Sequence, residues 1–159
     1  MKRLIIEGNH ELTGEIRISG SKNSAVALVP AAVLCDEVVT IANVPNISDI
    51  DALDEILSFL GAKVERNEDI IKIDSTNIES KKIPNSISTK LRASYYFMGA
   101  LLSRFKKVEM YFPGGCSIGA RPINLHLKGF EALGAKIEEK DNFFTIEAEK
   151  LQGAKINLD

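Results

Sequence analysis

The chain has 159 residues, of which 45% are hydrophobic and 26% are charged, so it is long enough for one ordinary globular domain or two small half-domains. Its formal net charge of -2 excludes the broad basic surface that binding to nucleic acids or anionic membranes requires. We therefore expect no nucleic-acid partner and no membrane partner, whereas a small anionic ligand needs only a few local lysines and arginines.

The N-terminus and the two cysteines exclude several other classes of protein. The apolar run at 4–6 is much shorter than a signal sequence or a membrane-spanning helix, so a cytoplasmic location is expected. Cys35 and Cys116 form neither a CxxC motif nor a Cys/His cluster at metal-ligand spacing. The pattern predicts no disulfide and no metal site.

The first elements in chain order are two short strands and a buried helix. Alternating residues within 1–19 are typical of a strand pair joined by a polar turn. The two strands are expected at 3–7 and 15–19. An Ala/Val/Leu-rich run at 25–34 predicts a helix that is buried on most sides, with Asn23 or Ser24 as its N-cap.

A strand, an amphipathic helix and a β-hairpin follow. The β-branched run at 38–44 ends before a proline and predicts a strand. Ser48 and the acidic residues after it predict an N-cap and the start of a helix, and Gly61 ends that helix as a C′ glycine. The hairpin strands are expected at 63–66 and 70–74.

The same order of elements recurs in the second half of the chain. Residues 60–65 (LGAKVE) are echoed at 133–138 (LGAKIE) with an offset of 73, whereas the Val-Pro pair at 44–45 matches Phe-Pro at 112–113 with an offset of 68. The second copy therefore carries five additional residues, and they fall in a glycine-rich loop, which favours a functional insertion on a repeated core. The second helix, strand, helix and hairpin are expected at 90–103, 107–112, 122–133 and 135–148.

The repeat divides the chain into units. Unit one is expected at about 20–78 and unit two at about 86–149. Residues 151–159 resemble 12–19 and predict the first strand of a third unit. Because a strand without its helix leaves a face and an edge uncovered, we expect the chain to be a piece of a longer protein or to have partner segments elsewhere. The same uncovered surface would favour self-association.

The glycine-rich loop from Pro113 to Pro122 reads PGGCSIGARP and is the strongest candidate site. Its glycines let the backbone approach a ligand closely, as a mobile loop over a site requires. Arg121 could hold an anion near the Cys116 thiol and favours its thiolate. A glycine-rich connection with an incidental cysteine is the alternative, and the residue types alone do not separate the two.

Two further positions could bind an anion. Lys22 and Asn23 lie at a strand-to-helix junction, where helix N–H groups and an ammonium can act together, and plain N-capping beside a solvated lysine is the alternative. Arg92 is expected in the first turn of a helix, where the dipole opposes it, so a bound anion would explain its position. A surface salt bridge is the alternative for Arg92.

Other ionisable residues have ordinary structural explanations. His126 is flanked by leucines without an acidic neighbour, so a packed or half-buried histidine is expected rather than a general base. The carboxylates of the helix that begins at Ser48 are expected to form its exposed face and N-terminal charge. These carboxylates are Asp49, Asp51, Asp54 and Glu55.

Three motifs follow one another along the chain: Lys22-Asn23, the LRAS sequence at 91–94 and the PGGCSIGARP loop. Together and in this order they resemble the UDP-N-acetylglucosamine enolpyruvyl transferase family. The resemblance runs along the whole chain and covers the N-terminal part of that family, whose members have two domains of three repeated units each. It implies an α/β fold, an inside-out α/β barrel of βαβαββ units with helices inside and sheets outside, truncated here after two units. The shikimate-pathway enolpyruvyl transferase shares the fold but not this cysteine loop.

The family resemblance implies an activity. This is the transfer of the enolpyruvyl group of phosphoenolpyruvate to the 3′-hydroxyl of UDP-N-acetylglucosamine with release of phosphate, the first committed step of peptidoglycan synthesis. The two substrates are the implied partners, and no metal or organic cofactor is implied. Because the family's second domain supplies a general base and further arginines, the present chain alone is expected to be inactive.

The same resemblance implies roles for individual residues. Cys116 would be the general acid that protonates the methylene carbon of phosphoenolpyruvate, and in the family this cysteine is the target of the antibiotic fosfomycin. The implied contacts are Lys22 and Asn23 with phosphoenolpyruvate, Arg92 with the nucleotide sugar, Arg121 with the anionic substrates, and Pro122, Ile123, Asn124 and Leu125 with the UDP moiety.

Asn124 departs from the family pattern, in which aspartate stands at this position of the Arg-Pro-x-Asp-Leu-His run. Asparagine can still hydrogen-bond a uracil edge, but it lacks the charge that strengthens such a bond. The departure leaves open a non-catalytic nucleotide-sugar-binding or regulatory domain on the same scaffold. A thiol-redox protein is a third hypothesis, although Cys116 has no resolving cysteine near it.

Overall fold

The computed structural model describes residues 3–114 and 123–157, and its elements follow the predicted order of helix, strand, helix and hairpin twice. The first set comprises α1 (Lys22–Ala31) with a 3-10 turn (Ala32–Leu34), β1 (Val38–Ile41), α2 (Ser48–Leu60), β2 (Lys63–Asn67) and β3 (Ile70–Asp74). The second comprises α3 (Asn85–Ser88), a 3-10 helix (Arg92–Tyr95), α4 (Tyr96–Phe105), β4 (Lys107–Tyr111), α5 (Asn124–Ala132), β5 (Lys136–Lys140) and β6 (Phe143–Glu147). Both predicted hairpins are thus confirmed, and the unit boundaries stay a prediction.

The strands form two antiparallel three-stranded sheets with equivalent topology. The strand order is β1-β3-β2 in the first sheet and β4-β6-β5 in the second, so the last strand of each hairpin is central. Alternate residues of the central strands are fully buried: Ile71 and Ile73 in β3, and Phe144 and Ile146 in β6. Because successive side chains of a strand point to opposite faces, each sheet has one face on the core and one towards solvent.

The helices lie on the inner side of the sheets. α1 packs against both α2 and α4, and α4 packs against β4. Fully buried side chains of α2 and α4, such as Leu53 and Phe97, belong to one continuous hydrophobic core that includes both sheets. The predicted α/β arrangement, with helices inside and sheets outside, is confirmed.

The helix ends correct two details of the predicted capping. α1 begins at Lys22 because Ser21 is extended and its hydroxyl accepts a hydrogen bond from the Ser24 N–H at 3.4 Å, so the prediction of Asn23 or Ser24 as N-cap is wrong. Ser48 is the first residue of α2 and not its N-cap, since Ile47 is the residue with extended backbone. Gly61 ends α2 with φ of 107°, which confirms the predicted C′ glycine.

The predicted N-terminal strand pair is wrong. Within the described residues, 3–21 contain no strand, and the apolar side chains of this segment are between 80% and 93% exposed. These side chains are Leu4, Ile5, Ile6, Leu12, Ile16 and Ile18. An alternating pattern produces a strand only where a neighbouring strand takes up the backbone hydrogen bonds, and the described residues supply none at this segment.

The strand predicted at 151–159 is also not seen in the described part of that segment. Residues 151–157 have no regular structure, although Leu151 packs against the core and the Gln152 N–H donates to the Leu133 carbonyl at 2.9 Å. Residues 158–159 lie outside the described residues. As at the N-terminus, the described residues place no strand beside this segment, so its backbone has no partner with which to form a sheet.

Arg104 of α4 joins the two halves of the core. Its Nη1 donates to the Val33 carbonyl at 2.6 Å, the Cys35 carbonyl at 3.2 Å and the Ser75 hydroxyl at 3.3 Å. Its Nη2 lies 3.0 Å from Asp36 Oδ1, and the arginine side chain is only 16% exposed. The guanidinium therefore satisfies carbonyls at the carboxyl end of α1 and its 3-10 turn, where a positive charge also suits the helix dipole.

A carboxylate of α2 is held in a poorly solvated position. Asp54 Oδ2 lies 3.4 Å from Nη1 of Arg66, and the same nitrogen lies 2.5 Å from Asp51. The other oxygen, Asp54 Oδ1, is buried without a hydrogen-bond partner among the described residues. Burial raises the pKa of Asp54 to about 6 against the opposing effect of Arg66, and the Asp51 carboxylate adds to the rise. The prediction that Asp54 belongs to an exposed helix face is therefore wrong.

We expect Asp54 to contribute a loss of stability as pH rises from about 4 to about 6. In that pH range the folded state keeps a proton on Asp54 that the unfolded chain releases. Below about pH 4 Asp54 is protonated in both states and lowers no stability, whereas above about pH 6 the folded state bears the full cost of ionising it. The expected loss is about 1–2 kcal/mol, and Asp54→Asn should abolish it. Urea unfolding at several pH values measures the effect, with the exposed Glu65→Gln as a control, and a dependence that persists in Asp54→Asn would contradict the prediction.

Candidate active site

A cavity of about 530 Å³ brings together three of the residues predicted from the sequence, Lys22, Asn23 and Arg92. It is bordered by the first turns of α1 and α2, the 3-10 helix before α4, and α5. A larger cavity of about 700 Å³ lies near β5 and the segment after β6, but none of the predicted site residues lines it. The smaller cavity is therefore the candidate site.

Lys22 stands at the start of α1 and forms an ion pair across the cavity. Its Nζ lies 2.5 Å from Asp49 Oδ1, and Asp49 is in the first turn of α2. The Asp49 side chain is only 18% exposed, whereas that of Lys22 is 56% exposed. The prediction that Asp49 lies on an exposed helix face is wrong, because the approach of α1 to α2 covers this turn.

Two more cations reach the cavity from the segment before α4. Lys90 donates to both carboxylate oxygens of Glu55 at 2.7 Å, which ties this segment to α2. Arg92 is half-buried in the 3-10 helix, and no ion pair of its guanidinium is present among residues 3–114 and 123–157. Lys22 and Lys90 are paired with Asp49 and Glu55, so the positive charge left on Arg92 is what suits the cavity to an anionic ligand.

An aromatic wall stands beside these charges. The rings of Tyr95 and Tyr96 are 4.5 Å apart, and the His126 ring lies 4.8 Å from that of Tyr95. Burial raises the pKa of Tyr95 to about 12, and its hydrogen bond with Tyr96 contributes, so the Tyr95 hydroxyl stays protonated at neutral pH. The wall offers flat apolar surface together with polar groups that can hydrogen-bond a ligand.

His126 differs from its predicted environment. It is exposed, because α5 buries none of its own residues completely and turns His126 towards the cavity. The expectation of a packed or half-buried histidine is therefore wrong. The sequence contained one usable signal for the aromatic wall, since Tyr95 and Tyr96 follow Arg92 at the i+3 and i+4 positions of one helical face.

The predicted loop residues Cys116, Arg121 and Pro122 lie outside the described residues, so their proposed roles stay predictions. The start of the loop is described at Gly114, whose backbone lies directly against the Thr89 carbonyl. A Cβ at this position would overlap that oxygen, so the close approach requires glycine. Gly114 thus lies beside the segment that contains Lys90 and Arg92, both of which line the cavity.

The last three predicted contacts lie at the start of α5. Ile123 is buried and precedes the helix, Asn124 is its first residue, and Leu125 is 41% exposed. Among the described residues none of the three lines the cavity, although the next residue, His126, does. Their assignment to a nucleotide stays a prediction.

Across 3–114 and 123–157, His, Cys, Asp and Glu side chains form no group of three or more that could hold a metal ion. The helices described in the same ranges are too short or too polar to cross a bilayer.

Comparison with known proteins gives consistent sequence relatives. The family model of EPSP synthase (3-phosphoshikimate 1-carboxyvinyltransferase) matches residues 6–159. UDP-N-acetylglucosamine 1-carboxyvinyltransferase 2 of Oceanobacillus iheyensis is 50% identical over 159 residues, covering 100% of this chain and 37% of the relative. UDP-N-acetylglucosamine 1-carboxyvinyltransferase 3 of Caldanaerobacter subterraneus subsp. tengcongensis is also 50% identical over 159 residues and is covered over 38% of its length.

A solved structure has the same fold. The enolpyruvyl transferase NikO from Streptomyces tendae aligns with a TM-score of 0.77 and 24% identity over 91% of this chain and 32% of that chain. The chain therefore spans well under half the length of the relatives it matches. The resemblance seen in the sequence is confirmed, and the chain belongs to the EPSP synthase (3-phosphoshikimate 1-carboxyvinyltransferase) family.

Proposed function

We propose that this chain is the substrate-binding N-terminal part of a UDP-N-acetylglucosamine enolpyruvyl transferase. The whole enzyme would transfer the enolpyruvyl group of phosphoenolpyruvate to the 3′-hydroxyl of UDP-N-acetylglucosamine and release phosphate, as the first committed step of peptidoglycan synthesis. The observation that carries the proposal is the convergence of the adjacent Lys22 and Asn23 with Arg92, which is far from them in sequence, on one cationic cavity. The 50% identity to enzymes named for this sugar nucleotide favours it over the shikimate-pathway substrate.

The charges of the cavity suit the two substrates. Phosphoenolpyruvate carries a phosphate and a carboxylate, and UDP-N-acetylglucosamine carries a diphosphate. Lys22 and Asn23, at the amino end of α1, would hold phosphoenolpyruvate with the help of the helix dipole. Arg92 would hold the diphosphate by charge-assisted hydrogen bonds, beside the flat surface of Tyr95 and Tyr96.

The chemistry requires an acid and fixed cations. The sugar hydroxyl gives its proton to a general base that the rest of the enzyme would supply, and its oxygen bonds to the central carbon of phosphoenolpyruvate while the methylene carbon takes a proton, which we assign to the Cys116 thiol. Phosphate then leaves with the electron pair of its bond to carbon, the new methyl group loses a proton to a base of the enzyme, and the double bond re-forms. Cys116 and Arg121 follow Gly114 in the sequence, and Gly114 lies against the Thr89 carbonyl of the segment that contains Lys90 and Arg92, so we assign the acid and a further cation for the bound substrates to these two residues.

The binding part of this proposal predicts that each substrate binds the chain and that the two cations contribute separately. Lys22→Ala should weaken phosphoenolpyruvate binding, and Arg92→Ala should weaken UDP-N-acetylglucosamine binding, each by about 10-fold to 100-fold, because each removes one charged hydrogen bond. Isothermal titration calorimetry measures both affinities. Lys155 is exposed and does not line the cavity, so Lys155→Ala removes the same charge and should change neither affinity.

The two cysteines provide an internal comparison for the loop. Saturating UDP-N-acetylglucosamine should change the alkylation rate of Cys116 but not that of the exposed Cys35 in the same molecule, as measured by mass spectrometry of the alkylated peptides. Equal changes at both thiols, or no substrate binding at all, would refute the proposed function. We expect no phosphate release by the 159-residue chain alone, because the remaining length of its relatives would supply the other catalytic groups.

A further inference from the structure

We propose that Asp49 is an internal counter-ion of Lys22 that competes with small anions for the candidate site and thereby sets its anion selectivity. The inference rests on the proposed function only in taking Lys22 as an anion-binding residue. It concerns an acidic side chain inside a cationic cavity, where a carboxylate opposes the binding of any anion.

The geometry shows which partner of the ion pair is fixed. Asp49 is largely covered and lies in the first turn of α2, where the helix dipole stabilises a negative charge. Lys22 lies in the first turn of α1, where the dipole disfavours a positive charge, and its long side chain is more than half exposed. Asp49 therefore stays in place, while the Lys22 ammonium is free to reorient towards a ligand.

The ion pair uses the part of Lys22 that a ligand would use. At 2.5 Å the Asp49 oxygen is in direct contact with the ammonium, so an entering phosphate must displace this oxygen or share the ammonium with it. Lys90 is held in the same way by Glu55, which leaves Arg92 as a cavity cation without an ion pair in the described ranges. Two of the three cavity cations are thus already paired with carboxylates of α2.

This arrangement has a consequence for selectivity. A single small anion gains little at Lys22, because it replaces a carboxylate that is already well placed. A ligand with two anionic groups can engage Lys22 and a second cation together, and this second contact offsets the competition from Asp49. Under the proposed function, inorganic phosphate is the released product, and the return of Lys22 to Asp49 would favour its departure.

Phosphate affinity tests the inference without any substrate or turnover. We expect Asp49→Asn to bind inorganic phosphate about 10-fold more tightly than the unchanged chain, equivalent to about 1.4 kcal/mol, since both the competitor and a negative charge are removed. Asp49→Ser should have the same effect and serves as a second charge-removing variant if Asp49→Asn folds poorly. Asp49→Glu should retain weak binding. The affinities follow from phosphate titrations monitored by the backbone amide resonances of Lys22 and Asn23.

The matched control is Asp51→Asn, which removes the same charge from the same turn of α2. Its carboxylate contacts Arg66 and does not line the cavity, so phosphate affinity should stay unchanged. Adding Lys22→Ala to Asp49→Asn should remove the gain. Unchanged or weaker phosphate binding by the Asp49 variants, or an equal gain in Asp51→Asn, would overturn the inference. Failure of the proposed function would instead appear in the UDP-N-acetylglucosamine titration and the Cys116 alkylation.

Discussion

Replacing Arg104 by methionine is expected to lower the free energy of unfolding by about 2–4 kcal/mol. Methionine keeps most of the aliphatic stem but removes every donor that the guanidinium directs at the Val33 and Cys35 carbonyls and the Ser75 hydroxyl. Ser75 is completely buried, so its surroundings give water little access to replace those bonds. The Cys35 carbonyl keeps the Ser75 hydroxyl as a donor at 2.6 Å, whereas the part-buried Val33 carbonyl loses the Arg104 donor, and leaving such an acceptor without a donor costs more than the average hydrogen bond contributes.

Urea denaturation of Arg104→Met measures this loss, and Asp36→Asn is its control. Asp36 forms the outer ion pair of the same guanidinium, and its side chain is 89% exposed, so removing its charge should change stability by less than about 0.5 kcal/mol. The contrast separates the part-buried hydrogen bonds of Arg104 to Val33 and Ser75 from its surface ion pair. Equal losses in the two variants would show that the ion pair, and not the carbonyl contacts, holds the arginine.

Gly114→Ala is expected to lower the free energy of unfolding by about 1–3 kcal/mol, because a methyl group at this position would overlap the Thr89 carbonyl. The added group must push apart the start of the cysteine loop and the segment that leads to Arg92. We therefore expect a second effect, a changed alkylation rate of Cys116. Thermal or urea unfolding reports the first effect, and mass spectrometry of the alkylated peptide reports the second.

Gly129→Ala provides the matched comparison for Gly114→Ala. Gly129 lies within α5 and a Cβ there would meet nothing within 4 Å, so alanine should stabilise the helix by about 0.5–1 kcal/mol. The same substitution is thus expected to have opposite signs at the two sites. A stabilising Gly114→Ala would mean that the Thr89 segment yields easily and does not fix the loop.

Local patterns predicted the repeated elements well. The hairpin at β2 and β3 and that at β5 and β6 each contain a short polar turn between alternating strands, and the LGAK sequence repeats before both. Gly61 ends α2 because only a residue that tolerates positive φ fits there. Such features depend on residues within a few positions of one another, which is why a single sequence reveals them.

Features that depend on distant partners were not predictable. Residues 3–7 and 15–19 have strand patterns but no strand beside them in the described residues, so the pattern alone does not produce a strand. The burial of Asp49 follows from the packing of α1 on α2, which no local spacing reveals. Lys22, Asn23 and Arg92 follow from local signals and family resemblance, whereas Asp49 and His126 enter the site through tertiary packing.

The contact of α1 with α4 has a consequence for how the molecule unfolds. These helices belong to the two copies of the repeat, yet their buried faces contribute to one hydrophobic core, and Arg104 of α4 closes the end of α1. Among residues 3–114 and 123–157, neither copy has a hydrophobic core separate from that of the other. The duplication visible in the sequence is therefore not a pair of autonomous folding modules, and we expect amide hydrogen exchange in both helices to report one shared opening free energy.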